Sequence, residues 1–393
     1  MGRNRKNLRE VSVKKKNESF FDYSLLFIVL FLMIFGLVMI YSASYYDAST
    51  SALMANDPFY YLRKQAISSV IGLVGMLIVS RIPYHFWERF AVPGYIISAI
   101  LIVLVLTPLG YEANGARRWL RLGISIQPAE IAKLAMILFL ASFICKIGKH
   151  IRTRKGFWIV MGVPAPICIM VWKITDNMSS AIIIFGIAFL MLFVASPDYK
   201  TFILIGIAVA IGIVIFLIAL TQIEALQSIG FRSARIMAWL NPEAYSSGKG
   251  FQTLQALYAI GSGGIFGKGI GQSMQKLGFL PEMQNDMIFA IICEELGLFG
   301  GICVIMLFVL LIWRFMVIAS NAADLFGALL VVGVLGHIAI QVILNIAVVT
   351  ATIPNTGISL PFISFGGTSV MFLLLEIGLV LSVGRSIRLK EHK

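Results

Sequence analysis

The sequence predicts an all-α, polytopic membrane protein with about ten transmembrane helices and one long extracytoplasmic loop. Of its 393 residues, 59% are hydrophobic and only 13% are charged, whereas a soluble domain carries about 25% charged residues. The mean hydropathy is +0.90. The apolar residues also fall into separate runs, each near the ~20 residues that a spanning helix needs. A lipid bilayer is the solvent that accepts so much apolar surface.

The membrane domain is predicted over residues 22–385, between a basic N-terminal tail, residues 1–21, and a short C-terminal tail, residues 386–393. The N-terminal tail is polar and is predicted to be disordered. A three-residue polar stretch at 175–177 is all that divides the fifth apolar run from the sixth. The runs, in order, cover residues 22–43, 62–80, 90–109, 128–147, 157–174, 178–196, 201–220, 287–313, 326–350 and 367–384.

The basic residues predict the orientation. Seven of the 32 Lys and Arg residues lie within residues 1–16. With the N-terminus inside, the segments predicted to face the cytoplasm carry 20 of the 32. Because basic residues are retained on the cytoplasmic side, both termini are predicted to be cytoplasmic. No nucleic-acid partner is expected from the net charge of +13, since no basic face is interleaved with exposed aromatic residues.

The most polar stretch between the runs, residues 221–286, is predicted to be one long outer loop. Within it, residues 229–240 set two arginines against apolar residues, which indicates either an amphipathic helix at the membrane interface or an ordinary loop helix. Residues 261–271 are rich in glycine but fail the Walker A pattern at two positions, Ser262 and Gly269. The glycines instead predict a tight turn or a close approach of the backbone, with N–H groups that are candidates to hold an anion.

Charged side chains inside the predicted spans need a physical reason, since each costs about 2.5–3.5 kcal/mol on insertion scales. Glu130 and Lys133 share a helix face and form either a structural ion pair or the polar floor of a cavity for a substrate head group. His337, Gln341 and Asn345 form a polar stripe, which favours hydrogen bonds between helices over catalysis. Further carboxylates, of which at least one is expected to face an internal cavity, are Glu294, Glu295 and Glu376.

Two features of the predicted outer face are candidates for chemistry. Arg117, Arg118, Trp119 and Arg121 concentrate positive charge there against the usual bias, and they indicate either binding of pyrophosphate and sugar or anchoring to lipid phosphates. Asp286 lies where the long loop meets the eighth run. Partial desolvation would raise its pKa and make it a better proton acceptor, although a helix cap is an equal interpretation of its position.

Several stretches, read together, resemble the SEDS family (FtsW, RodA and SpoVE). The resemblance covers about residues 20–385, and the ten-run layout with its long outer loop matches as well. The last stretch and the basic N-terminal tail favour the FtsW side of the family. The stretches are Gly115-Ala-Arg-Arg-Trp-Leu120, Gln127-Pro-Ala-Glu-Ile-Ala-Lys133, residues 255–271, Leu280-Pro-Glu with Asp286 and Glu294-Glu295-Leu-Gly297, and Asn355-Thr-Gly-Ile-Ser-Leu-Pro-Phe-Ile-Ser-Phe-Gly-Gly-Thr-Ser369.

The resemblance implies a peptidoglycan glycosyltransferase that polymerises lipid II into glycan strands at the outer face of the bacterial cytoplasmic membrane. Its implied ligands are lipid II and the undecaprenyl-diphosphate-linked glycan. Its implied partners are a class B penicillin-binding protein, which is a transpeptidase, and other divisome proteins. A role in cell division is favoured, with elongation and sporulation left open.

The resemblance also implies roles for single residues. Asp286 matches the family's essential outer-loop aspartate and is the predicted catalytic residue. Asp176 stands in a departure from the family pattern, which leaves its role open. The residues implied to bind substrate are Arg118, Trp119, Glu130, Lys133, Gln255, Ser262, Lys276 and Ser364.

One cofactor and two rival functions complete the sequence interpretation. The leaving pyrophosphate needs cationic help from Arg118, neighbouring basic residues or a divalent cation, Mg²⁺ or Mn²⁺, for which Asp286 is a candidate ligand. A transporter that flips lipid II also suits intramembrane charges and a central cavity. A scaffold that recruits the penicillin-binding protein is the other alternative. New glycosidic bonds would distinguish the enzyme from both.

Overall fold

The computed structural model describes residues 21–113, 116–122, 124–222, 230–245, 248 and 250–387. In this part of the chain, nine helices are long and apolar enough to cross a membrane, and Ala91–Leu104 is a shorter apolar helix. The predicted all-α polytopic class is therefore confirmed. Almost all of the two predicted tails lies outside the described residues.

The helices carry their apolar runs with polar residues confined to the ends and to a few internal positions. Three of the long helices are capped by a side chain: Asp22, Asn177 and Asp324 each accept a hydrogen bond from an N–H three residues on. The helices are α1 (Tyr23–Thr50), α2 (Tyr60–Arg81), α3 (His85–Glu88), α4 (Ala91–Leu104), α5 (Pro128–Ile147), α6 (Arg154–Gly162), α7 (Ala165–Ile174), α8 (Met178–Ala195), α9 (Tyr199–Gln222), α10 (Gly230–Leu240), α11 (Phe251–Gly263), α12 (Ile288–Ser320), α13 (Leu325–Val349) and α14 (Thr368–Arg385).

Helices α1 and α12 extend seven residues beyond the first and eighth predicted runs, to Thr50 and Ser320. Two other runs differ from their predicted bounds for local reasons. The third run ends as α4 at Leu104, five residues early, and the hydroxyl of Thr107 donates to the Leu104 carbonyl at 2.6 Å. The fifth run is divided into α6 and α7, with Pro164 immediately before α7. Proline lacks an N–H and opposes a continuous helix, which explains the break.

A small antiparallel sheet, which the sequence analysis did not predict, precedes α5. Its strands are β1 (Gly110–Ala113), β2 (Ala116–Leu122) and β3 (Ile124–Ile126), in the order β1-β2-β3. Tyr111 pairs with Trp119, and the register shifts beyond Tyr111. The segment is too polar and too short to span a bilayer, and pairing the strands satisfies its backbone groups.

The centre of the bundle is formed by α5, α13 and α14. Within the apolar windows of these helices, 56%, 67% and 72% of residues are buried, against 6% for α9. Glycines permit the closest helix contacts: a Cβ at Gly378 would lie 2.7 Å from the Met76 carbonyl of α2. A bundle with a buried centre and apolar outer faces is what the bilayer requires, because lipid covers the outer faces.

Within its described residues, the region predicted to be one outer loop contains two helices, α10 and α11. Helix α10 coincides with the predicted helix at 229–240. The indole N–H of Trp239 donates to the Ala351 carbonyl at 2.7 Å, which holds α10 against the connection between α13 and α14. Arg235 of α10 lies close enough to the start of α12 for its charge to act on Asp286.

Candidate active site

Asp286 lies in the turn that leads into α12, and its side chain is 7% exposed. The amide of Asn345 donates to the Asp286 main-chain carbonyl at 2.8 Å and fixes the backbone there. The carboxylate atom Oδ1 is buried and has no hydrogen-bond partner among the described residues. The other oxygen lies near Gly357, where an added Cβ would be 3.9 Å away. The backbone of Asp286 is therefore fixed, and its carboxylate keeps an acceptor atom available instead of capping the helix.

The surroundings of Asp286 suit a proton acceptor. Burial, and next the negative charge of Glu282, raise the pKa of Asp286 to about 7. Its own backbone N–H and the charges of Arg235 and Arg118 oppose this rise. A carboxyl group with a pKa near 7 is half ionised at neutral pH, which is the range in which a general base works best.

Of the predicted arginine cluster, the structure directs Arg118 towards Asp286. Burial lowers the pKa of the Arg118 guanidinium, whereas Glu282 and Asp286 raise it. Its Nε is buried without a hydrogen-bond partner in the described part of the chain. Arg117 instead donates to the carbonyls of Thr107 and Gly110. Arg118 is therefore the arginine of β2 that lies near the Asp286 carboxylate with an N–H group available to bind a ligand.

The segment between α13 and α14 frames the same site. Asn345 also donates to the Ile358 carbonyl at 2.7 Å, and Gln341 donates to the Ser359 carbonyl at 3.0 Å. Asn355 donates to the Gln252 side chain at 2.7 Å, which connects the segment to α11. The polar stripe predicted on the ninth run thus forms hydrogen bonds between elements, and one of its members holds the backbone of Asp286.

Glu130 and Lys133 form a buried ion pair, with 2.7 Å between Oε1 and Nζ. Ser369 of α14 donates to Glu130 at 3.1 Å, and Lys133 reaches Gln341 at 3.5 Å. His337 continues the chain of contacts to Gln341 and Glu376. The pair therefore ties α5 to α13 and α14, and buried charges of this kind are tolerated because each has several partners.

The other predicted substrate-binding residues occupy several different positions in the fold. Ser364 is buried, and its hydroxyl accepts from the Leu360 N–H at 2.7 Å. Lys276 is buried and pairs with Glu295 at 3.0 Å. Gln255 is half-buried on α11, while Ser262 contacts Glu294 at 3.3 Å. Trp119 is half-buried in the sheet. Substrate binding by these residues remains a prediction.

Sequence reasoning overlooked two residues that matter here. The negative charge of Glu282 raises the pKa of Asp286. Glu282 lies four residues before Asp286, in the Leu280-Pro-Glu motif, and this short spacing could have indicated that the two carboxylates lie close together. Gln65 is a buried polar residue of α2 whose Oε1 accepts from the N–H groups of Gly366 and Gly367 at 3.2 Å. A lone glutamine in an apolar run was the only signal for that contact.

The side chains around Asp286 are compatible with a weakly held divalent cation. Among the described residues, no group of three or more His, Cys, Asp or Glu side chains could hold a metal ion. Mg²⁺ is commonly held by one or two protein carboxylates together with substrate phosphates and water. The free Oδ1 of Asp286, with Glu282 nearby, fits that small donor set.

These features define a class: a polytopic helical membrane protein with a desolvated carboxylate and an arginine at one end of its bundle. The family model described as "Cell cycle protein", which covers FtsW, RodA and SpoVE, matches residues 23–389. The chain belongs to this FtsW/RodA/SpoVE family.

Relatives with established names support the family assignment over nearly the full length. Stage V sporulation protein E of Bacillus subtilis (strain 168) is 40% identical, covering 93% of this chain and 98% of the relative. A protein of Trichlorobacter lovleyi named "Probable peptidoglycan glycosyltransferase FtsW" is 38% identical, covering 94% of each chain.

Solved structures share the fold. A chain from a peptidoglycan synthase complex, studied for the coordination of polymerization and crosslinking, superposes with a TM-score of 0.74 at 26% identity, covering 93% of this chain and 98% of that chain. The rod shape determining protein RodA of Thermus thermophilus gives a TM-score of 0.64 at 26% identity, covering 94% of this chain and 98% of RodA.

Proposed function

We propose that this protein is a peptidoglycan glycosyltransferase that polymerises lipid II into glycan strands, acting in cell division. The names of its relatives and the polymerising complex that shares its fold support the activity. The observation that carries the proposal is the buried Asp286, whose pKa is raised to about 7 and whose Oδ1 has no hydrogen-bond partner in the described part of the chain.

In the proposed reaction, Asp286 accepts the proton of the 4-hydroxyl group of the incoming sugar. The hydroxyl oxygen then bonds to the anomeric carbon at the end of the growing chain. The bond from that carbon to the lipid pyrophosphate breaks, and the pyrophosphate leaves with the electron pair. Asp286 afterwards releases its proton to water, which restores the base.

Arg118 is proposed to stabilise the negative charge that develops on the leaving pyrophosphate. Its Nε has no partner among the described residues, and a guanidinium binds phosphate oxygens in a bidentate manner. Alternatively, Asp286 would help to hold a divalent cation together with Glu282 instead of accepting the proton, and that ion would supply positive charge at the leaving group. The ion pair of Glu130 and Lys133 is proposed to hold α5 in place beside this site.

We place the Asp286 end of the bundle at the outer face of the cytoplasmic membrane, with both termini in the cytoplasm. The distribution of Lys and Arg supports this orientation. The polyprenyl chain of lipid II cannot leave the bilayer, since each buried CH₂ contributes about 0.8 kcal/mol, so the site must lie at the interface. A class B penicillin-binding protein is the proposed partner, because a glycan strand needs crosslinking after polymerisation.

The test compares Asp286→Asn with wild type in a purified polymerisation assay on lipid II. The expected result is loss of glycan strands with unchanged folding, because Asn cannot accept the proton. Asp57→Asn is the matched control: Asp57 lies at the same end and forms a surface ion pair with Arg63 at 3.0 Å. Wild-type polymer from Asp286→Asn would contradict the mechanism, and lipid II redistribution without polymer would support a flippase. No activity from wild type, with normal recruitment of the transpeptidase, would support a scaffold.

A further inference from the structure

The glycine-rich segment, residues 264–279, runs along α12 rather than out into water. The N–H groups of Lys268 and Gly269 donate to the carbonyls of Glu294 and Glu295 at 3.0 and 2.9 Å. In return, Leu298 donates to the Gly264 carbonyl at 2.9 Å. The segment thus forms hydrogen bonds with the backbone groups of α12 that are left without helical partners at the kink at Gly297. Such pairing lets irregular backbone lie near lipid without unpaired polar groups.

Glycine is required on both sides of this contact. Gly297 has a φ of +70° inside α12, and a Cβ there would lie 2.3 Å from the Ile265 carbonyl. A Cβ at Gly267 would lie 2.2 Å from the Glu295 carbonyl. The two backbones are therefore closer than any side chain permits, so the segment is fixed at one height on α12.

Two adjacent buried glutamates lock the segment in place. Glu294 pairs with Lys268 at 2.7 Å and accepts from the Met274 N–H at 3.0 Å. Glu295 pairs with Lys276 at 3.0 Å and accepts from Ser42 of α1. The N–H groups that hold this carboxylate belong to Met274 and Gln275, just beyond residues 261–271.

Helix geometry gives the distance of these ion pairs from the opposite end of the bundle. At the opposite end of the bundle, Arg314 of α12 forms an ion pair with Asp22, the cap of α1, at 2.5 Å. Glu295 precedes Arg314 by 19 residues, which is about 29 Å of helix. Ser42 follows Asp22 by 20 residues, which is about 30 Å. Both distances equal the thickness of the hydrocarbon core, about 30 Å.

The outward side of the segment is apolar. Phe266 is 81% exposed and Ile265 is 65% exposed. On the neighbouring surface of α12, Leu298 and Phe299 are 59% and 62% exposed. These side chains form an apolar surface on α12, at the level of the ion pairs of Glu294 and Glu295. Water is an unfavourable neighbour for such a surface.

We propose that residues 264–279 form a lipid-embedded rim, whose Ile265, Phe266 and Ile270 side chains contact the acyl chains of the bilayer at the edge of the hydrocarbon core. Ile288, where α12 begins, lies seven residues beyond Glu295, or about 10 Å. The rim therefore holds Asp286 about 10 Å outside the hydrocarbon. The role of this position of Asp286 rests on the proposed function, because the sugar of a lipid-linked substrate lies at the same level, just outside the hydrocarbon.

The test measures how fast single cysteines react with a water-soluble maleimide in nanodiscs that each hold one copy of the chain. Phe266→Cys and Ile270→Cys are compared with Glu243→Cys, an exposed position in the same predicted loop. Wild type supplies the background from its four native cysteines. We expect both rim positions to react at least about tenfold more slowly than position 243, because hydrocarbon excludes the reagent and the thiolate.

Equal rates at the three positions would overturn the rim. Full labelling of every variant in denaturing detergent, and unchanged elution in size-exclusion chromatography, verify that slow labelling reflects the folded protein. The labelling rates do not depend on catalysis, so this test and the Asp286→Asn assay can fail separately.

Discussion

Replacing Glu282 by Gln tests how Asp286 obtains its reactivity. Burial raises the pKa of Asp286 most, and the charge of Glu282 is the next contribution to the value of about 7. If Asp286 must be ionised to accept a proton, wild-type polymerisation should increase with pH through about 7. Removing the Glu282 charge should move the midpoint to lower pH, with the ordinary value near 4 as the limit.

The expected effect is large enough to measure. At pH 6, a group with a pKa of 7 is about one-tenth ionised, and lowering the pKa to 6 brings that fraction to about one-half, a gain of about fivefold. Above pH 8 the variant should be no faster than wild type, because a weaker base removes the proton less well. Glu282→Gln should therefore be faster than wild type in acid and equal or slower in alkali.

The assay is the initial rate of glycan formation from lipid II between pH 5 and 9, at saturating substrate. Glu243→Gln, an exposed residue of the same predicted loop, is the matched control and should follow the wild-type profile. A wild-type midpoint at pH 5 or below, or a Glu282→Gln profile that superposes on wild type, would refute the electrostatic reasoning.

Two further predictions concern stability. In thermal melts, Asp286→Asn should unfold at a higher temperature than wild type at pH 8 but not at pH 4. A raised carboxyl pKa stabilises the folded wild type below the unfolded pKa near 4, and up to about 4 kcal/mol of this stability is lost as the pH rises through about 7. The same difference in melting temperature at pH 4 and pH 8 would count against a desolvated Asp286. Lys133→Met should destabilise the protein by about 3–5 kcal/mol, because it leaves Glu130 buried and unpaired. Adding Glu130→Gln should recover part of that lost stability. A double variant that is less stable than Lys133→Met would contradict a mainly structural ion pair.

The site shows where sequence reasoning succeeded and where it stopped. Asp286 was identifiable because it joins a polar loop to an apolar run. Lys276 is a predicted substrate-binding residue, and the structure adds a buried ion pair with Glu295 that the sequence did not indicate. Whether a charge faces a ligand or a partner depends on residues distant in the chain, such as Ser42 of α1, and local sequence does not contain that information.

The sheet and the divided fifth run are further limits. Strands β1 to β3 occupy a short polar interval that hydropathy alone reads as a loop, since period-2 patterning over so few residues is weak. The break at Pro164 was visible in the sequence, but an apolar run of spanning length hid it.

The sequence by itself determined that the chain is a helical membrane protein, because a bilayer imposes a length and an apolar composition on every span, and both are local properties. It also located the boundary residue Asp286. Only the tertiary structure decided which charges neutralise one another, which arginine faces the carboxylate, and at what height the glycine-rich segment lies on α12. Those outcomes depend on backbone approach and desolvation between elements far apart in the chain, and such energies arise only when the helices pack.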